Sequence, residues 1–279
     1  MKRKTIGLAL GGGGARGCAH IGVIKALTEA KIPIDFIAGT SIGSFIGGVY
    51  SAGDINMLEE FLVKIKLKDV VKYLDPVLPK RGLFEGAKFK KIIEQLVPRS
   101  DFKYARVPYI AVATDLMTGK EVRIKSGNIA DAIRSSIAIP GIFTPFKKGR
   151  QYLVDGGVVN PLPVSVVRDM GADIVIAVDL NHSFMKEKSG HKETSQGKFL
   201  KWVTPEWPTI IDVMENCVFM MQSEITQKNL MLSKPDFLLQ PELGGSSIFD
   251  FHHAKQLIDI GYRITKKQIP AIKKMLNII

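Results

Sequence analysis

Cysteine, tryptophan and histidine are scarce in this 279-residue chain, and acidic side chains are outnumbered by basic ones. Two cysteines, Cys18 and Cys217, exclude a disulfide-dense scaffold and a multi-cysteine zinc module, and they fit a reducing compartment. No long apolar run suits a membrane span. The uncharged stretch 36–53 carries Gly39, Gly43, Gly47, Gly48 and Gly53, and it falls short of the roughly 20 mainly apolar residues a spanning helix needs. It reads instead as a buried strand, a tight turn and a buried helix. The start, Met1-Lys2-Arg3-Lys4, mimics a signal-peptide n-region, but the apolar residues 6–10 end in four glycines, too short for an h-region. A soluble, cytoplasmic protein is expected.

What is present in excess is positive charge: 39 Lys+Arg against 27 Asp+Glu, a net +12. The cations concentrate between Lys64 and Lys91 and again in the tail from Lys255 to Lys274. Such clusters are either solvated helix faces or attract anionic partners. No zinc-finger spacing, RNP-like aromatic strand or heptad accompanies them, so no nucleic acid is expected. An anionic membrane surface is the better partner.

A hydrophobic share of 46% with 24% charged residues is ordinary for a globular chain. Short β-rich runs alternate with helical patterns. Residues 4–10 read as a buried strand, 11–14 as a turn, 16–30 as a helix and 34–38 as a second strand. That is a βαβ unit, which implies a parallel sheet. Further strands are expected at 108–114, 120–124, 151–154, 173–179 and 236–240. Helices are expected at 87–96, 128–137, 163–170, 208–232 and 251–274. Thr118-Gly119 reads as a tight reversal, which makes the sheet mixed. The lysine-rich segment 182–201 reads as a flexible basic loop. Residues 1–279 read as one domain, with a basic C-terminal helix, 251–279, packed on or beside it.

Two glycine motifs flank the first βαβ unit. Gly12-Gly13-Gly14-Ala15-Arg16-Gly17 is a G-x-G-x-x-G between strand and helix. It fits a dinucleotide site, for which Asp35 would be the ribose-binding acid, or an oxyanion hole built of backbone N–H groups. Gly39-Thr40-Ser41-Ile42-Gly43 is a G-x-S-x-G between a strand and a helix, the setting a nucleophile elbow requires. It favours the oxyanion reading and makes Ser41 the candidate nucleophile; the bland alternative is a turn whose serine caps a helix. The base is open on residues alone. His182 follows a strand; His20 shares a helix with Cys18 but lies too far around it to pair; His252 and His253 open the last helix. The carboxylate alternative is Asp155, at a strand end before Gly156-Gly157.

These three motifs, in this order, resemble the patatin-like phospholipase family, and residues 136–143 (Ser-Ile-Ala-Ile-Pro-Gly-Ile-Phe) are similar to the family's block between elbow and aspartate. The resemblance covers essentially the whole chain and is to the short bacterial members. It implies a three-layer α/β/α fold with a mostly parallel central sheet. It implies a Ser–Asp dyad, with Ser41 attacking a carboxylic ester of a lipid and Asp155 accepting the proton. The N–H groups of Gly12, Gly13 and Gly14 would hold the oxyanion. Arg16 would brace that loop, with Gly17, Gly39, Gly43, Gly156 and Gly157 in support. No metal or organic cofactor is implied. Alternatives are an esterase or thioesterase on soluble acyl substrates, and a catalytically idle binding protein. Trp202, Trp207, Ile210, Ile211, Met214, Cys217, Val218, Met220 and Met221 form a segment suited to acyl-chain or membrane contact, or to an ordinary core helix.

Overall fold

The computed structural model describes residues 3–65, 75–77, 82–182, 209–244 and 249–277. The elements are β1 (Ile6–Leu10), α1 (Cys18–Glu29), β2 (Phe36–Thr40), α2 (Ile42–Ala52), α3 (Ile55–Lys64), α4 (Ala87–Leu96), β3 (Tyr109–Asp115), β4 (Glu121–Ile124), α5 (Ile129–Ser136), β5 (Phe146–Lys148), β6 (Gln151–Asp155), α6 (Val164–Asp169), β7 (Ile174–Val178), α7 (Ile210–Leu232), β8 (Phe237–Leu239) and α8 (Ala254–Leu276). The strands form one sheet in the order β5-β6-β3-β2-β1-β7-β8, with β4 also paired to β3. The β3, β2, β1, β7 and β8 strands are parallel; β4, β5 and β6 join antiparallel.

Both faces of the central strands are apolar, as parallel strands covered on two sides must be. Leu8, Leu10, Ile37 and Ala111 point into a core shared with α1 to α5 and α8. Their alternate neighbours Ala9, Ala38, Ile110 and Val112 meet the valines of α6 on the other face. The result is a three-layer α/β/α sandwich. On its first face α8 lies along α1 so closely that a Cβ on Gly22 would strike the Ile258 backbone and one on Gly261 the Ala19 backbone.

Register along β3 positions the site. Ala111 and Val112 pair with both β2 and β4, and Ala113 and Thr114 with both β4 and β6, so β2 and β6 share one edge of β3. They approach from opposite directions. Thr40 stands opposite Val112 and Asp155 opposite Ala113, so the two strands end facing each other.

Where observed elements differ from expectation, local chemistry accounts for it. The second strand begins at Phe36, not Ile34, because Pro33 has no N–H and the Asp35 carboxylate is taken by Arg3 (2.6 and 2.8 Å) and by the Ile6 N–H (2.7 Å). That tie occupies the acid a dinucleotide site would need. The first helix opens with a 3-10 turn, Gly14–Gly17, before α1. Helix α3 was not anticipated, although Asp54 caps it by accepting from the Asn56 N–H at 2.8 Å. Strand β5 is a three-residue edge, too short for a pattern. The segment 182–201 lies, after His182, outside the described residues, as do Trp202 and Trp207.

Candidate active site

Ser41 sits between β2 and α2 with φ 56° and ψ −125°, a conformation that ordinarily belongs to glycine. The flanking glycines make this bend possible. A Cβ on Gly39 would collide with the Gly43 carbonyl, and one on Gly43 with the Leu10 carbonyl. The elbow thus packs backbone to backbone on β1. Its N–H donates to Ser136 Oγ at 2.9 Å, and Ser136 in turn donates to the Val112 carbonyl at 2.5 Å. Thr40 Oγ1 donates to the Asn160 carbonyl at 2.8 Å. Ser136 thereby fixes the elbow. It belongs to the 136–143 block, but nothing local in the sequence shows that its hydroxyl reaches back to residue 41.

Asp155 ends β6, 1% exposed. Oδ1 accepts from the Gly157 N–H at 2.7 Å, while Oδ2 is buried without a hydrogen bond of standard geometry among the described residues. Burial pushes the carboxyl up to about 6; the Ser41 hydroxyl and the Gly157 N–H pull it partly back. The Ser41 hydroxyl is thus close enough to act on the Asp155 carboxylate electrostatically. A Cβ on Gly156 would meet the Val112 carbonyl, which is why glycine follows the aspartate.

Ser41, Asp155, Gly13 and Gly14 line one pocket, closed over by Met214, Phe219 and Gln222 of α7. The Gly12 N–H is committed to the Pro161 carbonyl at 3.0 Å, so of the three glycines expected to donate, Gly12 is already occupied. The Gly13 and Gly14 N–H groups have no acceptor among the described residues. Arg16 is fully buried beneath this loop. It donates to the Gly13 carbonyl (3.2 Å), the Leu180 carbonyl (3.2 Å) and Asn181 Oδ1 (2.9 Å), and its guanidinium lies 4.0 Å from the Phe219 ring centre. Gln222, 5% exposed, was not anticipated: it sits on a helix whose sequence shows only a methionine-rich apolar pattern. On that helix Met220 and Met221 are exposed, as is Cys217.

The histidines lie elsewhere. His20 is fully buried behind the glycine loop with Nε2 donating to the Gly11 carbonyl at 2.8 Å, and desolvation pushes it down to about 4. His182 is not among the residues lining the Ser41 pocket. His252 and His253 open α8, and His191 lies outside the described residues.

A second, apolar cavity opens beside the first and shares Gly14, Ser41 and Ile139 with it. Its walls include Phe45, Phe61, Phe89, Phe143, Phe249 and Phe251. An apolar cavity of this kind, reaching a strained serine, suits an apolar ligand group.

The family model described as patatin-like phospholipase matches residues 8–168. An uncharacterized NTE family protein of Mycobacterium tuberculosis is 40% identical over 178 residues, 64% of this chain and 49% of that protein. Patatin-like phospholipase domain-containing protein 6 of Homo sapiens is 32% identical over 94% of this chain and 20% of its own length. The chain thus spans about half of the first relative and a fifth of the second. In fold it is similar to VipD from Legionella pneumophila, with a TM-score of 0.53, 13% identity, and coverage of 97% of this chain and 67% of that one.

Proposed function

The chain belongs to the patatin-like phospholipase family, and from that premise we propose that it is a lipid acyl hydrolase working through a Ser41–Asp155 dyad. The observation that carries the reading is the strained serine and the desolvated carboxylate meeting in one pocket beside an apolar cavity.

Ser41 Oγ attacks the ester carbonyl while Asp155 takes its proton. Burial suits Asp155 to this, because a carboxylate whose proton affinity is raised toward neutrality is a stronger base and is still mostly ionised at pH 7. The oxyanion forms against the Gly13 and Gly14 N–H groups, each of the kind that contributes about 3–4 kcal/mol to such a transition state. Gly12 holds the loop through Pro161, and Arg16 holds it through the Gly13 carbonyl. Collapse expels the alcohol, protonated by Asp155, and leaves an acyl-Ser41 ester with its chain in the phenylalanine-lined cavity. A water deprotonated by Asp155 then attacks the acyl carbon; the bond to Ser41 Oγ breaks, Oγ takes the proton from Asp155, and the carboxylic acid is released. Phospholipid or lysophospholipid esters are the substrates this arrangement fits.

The test is labelling with a fluorophosphonate followed by peptide mapping. Modification at Ser41, absent from Ser41→Ala, is the expected result. An unlabelled protein would overturn the reading in favour of an idle fold, and a label on another serine would overturn Ser41 as the nucleophile.

A further inference from the structure

Two hairpins stand out past the catalytic edge of the sheet. Asp155 is opposite Ala113, and from there β3 continues to Asp115 and turns through residues 116–120, while β6 is preceded by the turn 149–150. Because β3 and β6 are antiparallel, both turns project in the same direction. At about 3.3 Å per residue they reach roughly 10 Å beyond the ends that hold Ser41 and Asp155. They are joined to one another by the Leu116 N–H donating to the Tyr152 carbonyl (2.8 Å) and by Gln151 Nε2 donating to Asp115 Oδ2 (2.9 Å).

Their tips have an unusual composition. Leu116 is 51% exposed and Met117 75%. Lys120, Lys147, Lys148 and Arg150 are exposed around them, and Lys147 lies 6.0 Å from the Tyr152 ring centre. The carboxylates of these strands are used internally. Asp115 accepts from the Met117 and Thr118 N–H groups, holding the turn, and Glu121 is shared by Arg123 and Asn160. Exposed Val158, just after Asp155, and Met221 on α7, which packs on the 156–158 turn, extend the apolar surface toward the pocket. A lone exposed methionine is unremarkable, but an exposed Leu–Met tip beside a basic one, whose cations have no acidic partner among the described residues, is what an anionic lipid interface attracts.

We propose that the paired tips of the β3–β4 and β5–β6 hairpins dock the protein on an anionic phospholipid bilayer. Leu116 and Met117 enter the interface, and Lys120, Lys147, Lys148 and Arg150 meet lipid phosphates. The choice of a membrane as partner rests on the acyl hydrolase reading; the surface itself rests on the hairpins. This places attachment at the mouth of the pocket, and not at the lysines of α8.

The experiment is co-sedimentation of the Ser41→Ala protein with phosphatidylcholine vesicles, with and without phosphatidylglycerol. It compares the double variant Leu116→Ser/Met117→Ser, the triple variant Lys147→Glu/Lys148→Glu/Arg150→Glu, and the control Lys266→Glu/Lys267→Glu/Lys274→Glu. Each hairpin variant is expected to weaken binding to the phosphatidylglycerol vesicles by about tenfold or more, since each basic side chain near such a surface adds appreciably to attachment. In the Ser41 form, the hairpin variants should hydrolyse p-nitrophenyl butyrate within about twofold of wild type, as exposed substitutions far from packed features do. Hairpin variants that bind vesicles like the parent, or a control that loses as much, overturn the proposal. Absence of p-nitrophenyl butyrate turnover in the wild type would count against the hydrolase reading alone, because the vesicle comparison does not depend on turnover.

Discussion

Asn181 Nδ2 donates to Gln222 Oε1 at 3.1 Å, while its Oδ1 accepts from Arg16 at 2.9 Å. The Asn181 side chain thereby couples the glycine-loop arginine to α7 and fixes which end of the Gln222 amide faces which wall. Nε2 is turned toward Gly157, so closely that a Cβ there would strike it, on the side where Asp155 lies. Gln222→Ala should lower kcat/KM for a soluble ester by roughly one to two orders of magnitude, the effect of breaking one buried polar link worth about 1–3 kcal/mol. Steady-state kinetics beside a thermal melt checks this. Unchanged kcat/KM would mean that the amide serves packing only.

At Ser41 the backbone carries strain that a side chain aggravates. Residues held at such φ and ψ values cost about 1–3 kcal/mol, and glycine escapes most of that. Ser41→Ala and Ser41→Gly should both lack hydrolysis, but the glycine variant should be the more stable of the two by about 1 kcal/mol or more. Urea denaturation of the pair decides it. Equal midpoints would show that the φ of 56° is not a strained one in this setting.

The elbow was legible because its demands are local. Gly39 and Gly43 must be bare so that a strand, a turn and a helix can close on Leu10, and that requirement is written within five residues. Asp155 was legible through its place at a strand end and the two glycines after it. By contrast, Ser136, Asn181 and Gln222 reach the site from distant parts of the chain and carry no spacing that announces them. The occupied Gly12 N–H was equally hidden, because its acceptor, Pro161, comes from another segment altogether. Most strands could be read from apolar runs, whereas β5 is too short to show one and the start of β2 depended on where Arg3 meets Asp35.

The apolar cavity leads to a prediction about chain length. Ile92 lines it from α4 and is nearly buried. Ile92→Trp would fill space that a long acyl chain needs while leaving Ser41 open. Turnover of p-nitrophenyl decanoate should drop by roughly tenfold relative to that of the butyrate, a methylene-scale discrimination of about 1–3 kcal/mol. A parallel fall for both esters would indicate a general loss of packing instead.

His20 bears on acid stability. Its native value, pushed down to about 4 by desolvation, lies below the ordinary 6.5, so the unfolded chain binds this proton more readily than the native one. The stability it contributes is complete above pH 6.5 and is lost progressively as pH falls toward 4. His20→Gln keeps a donor for the Gly11 carbonyl and removes the titration. Chemical denaturation at pH 7.5 and 4.5 should show a smaller pH-dependent loss in the variant. An identical loss would assign the acid sensitivity to other groups.

Asp155 works in the opposite direction, with consequences for activity and stability together. Its native value, raised to about 6 from the ordinary 3.8, means that the folded protein prefers the protonated carboxyl. That preference stabilises the fold fully below pH 3.8, and its benefit disappears as pH climbs through 6, a change of up to about 3 kcal/mol. Catalysis needs the ionised form, so kcat/KM should rise with pH around an apparent midpoint near 6 and level off above it. Asp155→Asn should abolish most activity, because an amide cannot accept the serine proton. It should also unfold at higher temperature than wild type at pH 8, with the advantage shrinking toward pH 5. A wild-type profile flat from pH 5 to 8, or an Asn variant less stable at pH 8 than at pH 5 relative to wild type, would remove Asp155 as the base that titrates in this window. The joint outcome, activity and destabilisation appearing over the same pH interval, is the signature of a carboxylate kept out of water in order to act on Ser41.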